Sequence, residues 1–325
     1  MKTTRTLWKR NLAAGMAALA LCAGLPAVAR AACSSAPPGY TVYAGKELQT
    51  QNNAQVNGAK TGKTELNQPA GYPSSYAGGP ATTGAITLPP LDPASFPSSQ
   101  IGTQNISVGN NGSKTVASGS YNDITTGNNT SLNFTGGTYY IDTLSISNNG
   151  VATFAAGTYY VNTLTFDNNA IITLSGAVTF YIGKNLKIDN NTQVNSGASA
   201  SPANLTFNLY NGAEATLDNN GGMKGLIYAP GASSEIQLEE NASLTGAIIT
   251  GGEVSLDNNS SISYGAVSSS SALNHFSISA SSNAITCQGQ AVTISLHDAS
   301  HNVISDNCGT YPTITLSTTT GHGDW

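Results

Sequence analysis

Residues 137–149 read GTYYIDTLSISNN and residues 157–169 read GTYYVNTLTFDNN, one phrase repeated after a shift of twenty. Later copies drift but keep the frame: 179–191 reads TFYIGKNLKIDNN and 253–259 reads EVSLDNN. Asparagine pairs mark the phrase at Asn110-Asn111, Asn128-Asn129, Asn148-Asn149, Asn168-Asn169, Asn190-Asn191, Asn219-Asn220 and Asn258-Asn259. Their spacings are 18, 20, 20, 22, 29 and 39, and Glu240-Asn241 divides the last into 21 and 18. A fixed period of this length is the signature of a stacked repeat.

Within each unit apolar and small polar residues alternate. Leu144 and Ile146 return as Leu164 and Phe166, then as Leu186 and Ile188, with a polar residue between each pair. Period two means a strand with one buried face. Gly-Thr or Asn-Asn between strands supplies turns, because both residue types tolerate left-handed backbone. One unit cannot bury its apolar face alone. Stacking units as coils buries Leu on Leu and Tyr on Tyr and adds backbone ladders. Asparagines at one corner are expected to stack as side-chain amide ladders. An antiparallel sandwich has no reason to keep a twenty-residue register, so the expected fold is all-β: a parallel β-helix over 101–267.

Outward from the repeats, residues 32–100 hold one possible early coil, Leu48 to Gly58 with Asn52-Asn53, and a Pro-rich stretch, LPPLDPASFP at 88–97, expected as an extended cover or connector. Residues 268–273 read as a Ser-rich linker. In 274–325, Phe276-Ser277-Ile278, Val292 to Leu296 and Ile314-Thr315-Leu316 alternate like the strands of an incomplete Ig-like sandwich.

The first 31 residues read as a secretory signal. Lys2, Arg5, Lys9 and Arg10 precede an apolar run from Leu12 to about Ala23, and Ala29-Arg30-Ala31 offers small residues for cleavage. Gly15, Gly24 and Pro26 interrupt the run, which disfavours a membrane span. Leu21 and Arg30 spoil lipidation patterns at Cys22 and Cys33. Export therefore places the chain at the cell surface, associated with the outer membrane, or outside the cell, with no transmembrane segment after cleavage. Cleavage removes five of the twelve basic residues, so seven Lys face seventeen acids for a net charge of −10. No Arg remains after Arg30, and no basic cluster could replace nucleic-acid counterions. In an oxidising compartment Cys287 and Cys308 are expected to pair, leaving Cys33 over.

Chemistry is scarce. Lyases and hydrolases need a positioned base or paired carboxylates. Residues 32–274 contain no His or Arg, and the repeats hold only Lys114, Lys184, Lys187 and Lys224 as bases. No catalytic residue is assigned. Asp167, Asp189, Asp218, Glu239 and Asp257 fall at one position of successive turns. The expected reading is a solvated column; Ca²⁺ held by carboxylate and amide oxygens is the sharper alternative, without a known calcium-loop signature. His297, Asp298, His301 and Cys308 could suggest a transition metal, but strand alternation separates the two histidines, and Cys287 is the better partner for Cys308. Tyr139-Tyr140, Tyr159-Tyr160 and Phe180-Tyr181 should place one ring inside and one outside, where exposed Tyr could hold glycans. Threonine columns at Thr138/Thr158, Thr143/Thr163 and Thr153/Thr173 resemble those of ice-binding solenoids but fade in later coils.

The GTYY openings, the DNN and NNA turns, and Gly225-Leu226-Ile227-Tyr228-Ala229-Pro230 with Gly246-Ala247-Ile248-Ile249 resemble the solenoid of the MshQ-like family, linked to biogenesis of mannose-sensitive haemagglutinin type IV pili. Asn274 to Ile278, Thr286-Cys287, Ala291 to Ile294 and Thr318 to Trp325 resemble the start of that family's C-terminal region; its members usually continue well beyond this point. The resemblance implies a non-catalytic, structural or adhesive surface protein whose partners are pilus or envelope components. The alternatives are a glycan-binding module and a β-helical polysaccharide lyase or hydrolase.

Overall fold

In a computed structural model of the chain, the structure describes residues 40–58 and 88–265 in full, with the backbone alone at 60–62, 275–280, 292–297 and 303–304. The repeats form a parallel β-solenoid of about eight turns. Every pairing in its nineteen-stranded sheet is parallel, as in Leu164 beside Leu144 on one side and Leu186 on the other. All three leucines are fully buried. Long strands such as Val151–Phe166 bend around the coil, and register shifts at Ala155/Gly157 and Val161/Thr163 mark the corners between three flat faces.

The interior is a continuous apolar column. Tyr139 and Tyr159 stack at 4.6 Å, Phe134 and Phe154 at 4.4 Å, and Phe180 and Phe207 at 5.0 Å, with edge-to-face contacts between the two inner rows. Buried phenols need partners. Tyr139 Oη donates to the Val116 carbonyl and Tyr159 Oη to the Ala155 carbonyl, both at 2.9 Å.

Each Asn-Asn corner is a four-residue turn. The second asparagine is left-handed throughout: Asn53, Asn111, Asn129, Asn149, Asn169, Asn191, Asn220, Asn241 and Asn259 have φ between 57° and 60°. A small residue closes the turn, as Ala170 N donates to the Asp167 carbonyl at 3.1 Å. The expected side-chain amide ladder needs correction, since the repeating bond at these corners is a backbone one. Asn149 N donates to the Asn168 carbonyl, Asn169 N to the Asn190 carbonyl and Asn191 N to the Asn219 carbonyl, each at 2.9–3.0 Å. Side-chain amides add to it locally, as from Asn53 Nδ2 to Asn259 Oδ1 at 3.2 Å, while buried Asn168 Oδ1 and Asn258 Oδ1 lack a hydrogen-bond partner. Left-handed backbone costs a Cβ-bearing residue about 1–2 kcal/mol. Asn169→Ala should therefore lower stability by about that amount and Asn169→Gly by much less. Equal losses for Ala and Gly in urea titrations would place the role in the amide instead.

The segment read as an early coil is a coil, but it lies at the opposite end of the stack. Val42–Ala44 pairs with 248–250, Glu47–Thr50 with Glu253–Leu256, and Gln55–Asn57 with 261–263. The chain must then return along the rod before its next described coil begins at Ile106–Val108. Part of that return is the Pro-rich stretch, which covers one face: Leu91 is buried, Phe96 meets Tyr210 edge-on at 5.8 Å, and Tyr228 Oη donates to the Pro89 carbonyl. The 29-residue spacing has its own cause. Residues 195–204 form an insertion held by left-handed Asn195, whose Nδ2 donates to the carbonyls of Ser201 (2.9 Å) and Lys224 (2.8 Å).

Beyond 265 the described backbone is a three-stranded antiparallel sheet, His275–Ala280, Val292–His297 and Val303–Ile304. Two of these strands hold the expected Phe276-Ser277-Ile278 and Val292 to Leu296 segments, and the rest of the expected incomplete sandwich lies outside the described residues. The signal segment, Cys33, the Ser-rich linker, Cys287, Cys308, Asp298, His301 and Ile314 to Leu316 lie outside the described residues. Among the described residues, no helix is long and apolar enough to cross a membrane.

Candidate binding faces

The first face carries the outward aromatics. Tyr140, Tyr160, Tyr181, Asn208, Tyr228, Ile249 and Tyr43 form one registered column. The alternative of a glycan platform on exposed tyrosines meets little open ring surface here. Tyr140–Tyr160 (5.1 Å, 6°) and Tyr160–Tyr181 (4.7 Å, 20°) stack on one another, so those ring faces are occupied by neighbouring rings. Leu88 to Phe96 covers the column further along, where Tyr181, Tyr210 and Tyr228 are buried. Burial pushes the phenols of Tyr210 and Tyr228 well above their ordinary range.

The second face carries charge. Asp167, Asp189, Asp218, Glu239 and Asp257 do align, each donating its backbone N–H to the coil before it. Gln51 ends the column with Nε2 donating to Asp257 Oδ1 at 2.8 Å. Local structure occupies several of these carboxylates. Asp189 Oδ1 accepts from Asn190 N at 2.8 Å and Asp218 Oδ1 from Asn219 N at 2.9 Å, each fixing the turn that follows. Lys187 Nζ lies 3.1 Å from Asp189 and 3.5 Å from Asp218. For Ca²⁺ the side chains would have to converge, yet they run in line along the axis. Among the described residues, no three His, Cys, Asp or Glu groups gather to hold a metal ion.

Crowding is relieved by protons. Glu239 is raised to about 7 by its hydrogen bond to Asp218, by burial and by the charges of Asp218 and Asp257. Asp218 is lowered, first by that same bond. Asp167 is raised by burial and by Asp189. A folded-state pKa above the ordinary 4.5 means that the neutral Glu239 favours the fold. Its contribution is complete at lower pH and is lost as pH rises through about 7. The melting temperature should fall over that window. Glu239→Gln should remove most of the slope, and an unchanged slope would contradict the shared proton.

A second acidic column escaped the sequence reading. Glu214, Glu235, Glu253 and Glu47 stand in register on the same face, each four residues before the turn position. Its signal was legible in the frames EATLD at 214–218, EIQLE at 235–239, EVSLD at 253–257 and ELQTQ at 47–51.

The third face is flat and almost uncharged. Its outward rows are Ser113 and Thr115, Ser131 and Asn133, Val151 and Thr153, and Ile171 and Thr173, paired in register from coil to coil. Val151 is 39% exposed and Ile171 49%, on strands whose other side fills the core. Thr153 and Thr173 hydroxyls hydrogen-bond at 3.0 Å. The other two threonine columns expected from sequence lie elsewhere, Thr138/Thr158 beside the aromatics and Thr143/Thr163 beside the acids, so no single face collects all three.

A family model described as Domain of unknown function (DUF7305) matches residues 98–267. No curated protein matches the chain. Among solved structures, the ice-binding protein from the Antarctic ascomycete Antarctomyces psychrotrophicus is similar at 14% identity over 70% of this chain and 94% of that one, with TM-score 0.34. A glycosylated ice-binding protein from Arctic yeast is similar at 12% identity over 72% and 94%, with TM-score 0.33.

Proposed function

The chain belongs to the family described as Domain of unknown function (DUF7305), whose matched residues 98–267 hold the solenoid coils from Ile106 onward, and we propose that it is an exported, non-catalytic surface-binding module serving envelope or type IV pilus assembly. The observation that carries this reading is the third face. Registered Ser, Thr and Asn rows with exposed Val151 and Ile171 form a nearly uncharged plane suited to an extended partner surface. The MshQ-like resemblance supports a pilus or envelope component as that partner. The signal-like N-terminus supports export.

The chemistry of the second face supports a non-catalytic reading. Lys187, the base nearest the carboxylates, is raised in pKa, first by its hydrogen bond to Asp189, whereas a lysine base needs a lowered one. Asp218 and Glu239 share one proton like a catalytic pair, but a glycosidase pair stands about 5 Å or more apart to admit the scissile bond. Hydrogen-bonded carboxyls leave no such gap.

The test is co-sedimentation of the purified mature protein with envelope and pilus fractions, alongside turnover assays on polysaccharides. Retention without release of sugar is expected. Turnover, or no retention on either fraction, would overturn the proposal.

A further inference from the structure

The terminal coil 41–62 is separated in sequence from the coil on which it sits. It rests on 247–265 through ordinary coil-to-coil contacts rather than a unique interface: Ser255 pairs with Gln49, Asn259 N donates to the Asn52 carbonyl at 3.0 Å, and Gln51 meets Asp257. The matching frames EVSLDNN at 253–259 and ELQTQNN at 47–53 show that the docking code is local to the coil. Nothing in those contacts depends on both coils belonging to one chain.

The covalent chain between the terminal coil and Leu88 is long enough to reach a second copy. About eight turns at ~4.8 Å put roughly 40 Å between the ends of the rod. Residues 63–87 alone have a contour of about 80 Å at ~3.3 Å per residue. The geometry points to coil exchange: residues 41–62 of one copy seated on the 247–265 coil of a second copy of this chain, with the same strand register and the same Asn corner. The contacts are identical in both forms, so concentration decides between them. Closure within one chain prevails in dilute solution, and exchange grows as the protein concentration nears the effective concentration that covalent linkage gives the intramolecular coil. Reciprocal exchange closes a pair, and one-way exchange builds a row of rods.

The experiment mixes two full-length mature proteins, Gln49→Cys and isotopically heavy Ser255→Cys, warms them gently under oxidising conditions across a concentration series, and maps disulfide-linked peptides by mass spectrometry. Gln49→Cys with Ser113→Cys, a position at the far end of the rod, measures random linkage. Expected is a light–heavy link between positions 49 and 255 that rises with concentration and exceeds the control by about tenfold or more as the mixture nears that effective concentration. A register-matched yield no greater than the control overturns coil exchange. The single-chain Gln49→Cys/Ser255→Cys variant must also close as a monomer when dilute, and failure to close overturns the coil placement along with the proposal.

Discussion

Leu164→Ala is expected to destabilise the solenoid by about 2–5 kcal/mol. The side chain is fully buried and sits in register between Leu144 and Leu186, so truncation removes contacts to the coils on both sides. In a stack where each repeat touches only its neighbours, the loss falls on the coupling that joins the two halves. Urea unfolding followed by tyrosine fluorescence should show the midpoint drop and the transition broaden. A loss under about 1 kcal/mol would mean that this row does not form the core.

Gly246→Ala should be at least as damaging. Gly246 has φ of 148°, and a Cβ there would lie 1.9 Å from the Gly225 carbonyl oxygen, in the neighbouring coil of the same ladder. Relief requires displacing backbone, so strain and overpacking add to roughly 3 kcal/mol or more. The expected result is protein that fails to accumulate or melts far below the parent. By contrast, Gly197→Ala meets nothing within 4 Å and should be neutral. Equal behaviour of the two variants would contradict the close approach of these coils.

The stacking of Leu144, Leu164 and Leu186 was legible in the sequence because period and phase are local properties repeated without change. The left-handed second asparagine was legible for the same reason. The place of the first coil was not read, although its signal is present. ELQTQNN carries Glu at the position where 214, 235 and 253 carry it, a mark absent from the coils at 131–166. Chain order suggested an early coil, whereas side-chain chemistry assigns it to the acidic end. The role of the asparagine side chains was overstated, since backbone amides can ladder at a corner whatever the side chain does. The fate of the outer tyrosines could not follow from periodicity. Which side chains the strap 88–97 covers depends on the path of a return that has no repeat to read.

The candidate face was the least legible feature. Val151 and Ile171 look in sequence like ordinary strand residues. Only the fold shows that alternation turns Ala152 and Ile172 inward and leaves these two outside. The most direct measurement is therefore paired on one protein, Val151→Lys/Ile171→Lys: melting temperature and retention on envelope or pilus fractions. Both positions face solvent, so the melting temperature should stay near the parent while retention is lost. Retention unchanged in a folded variant would contradict the assignment of this face as the binding surface.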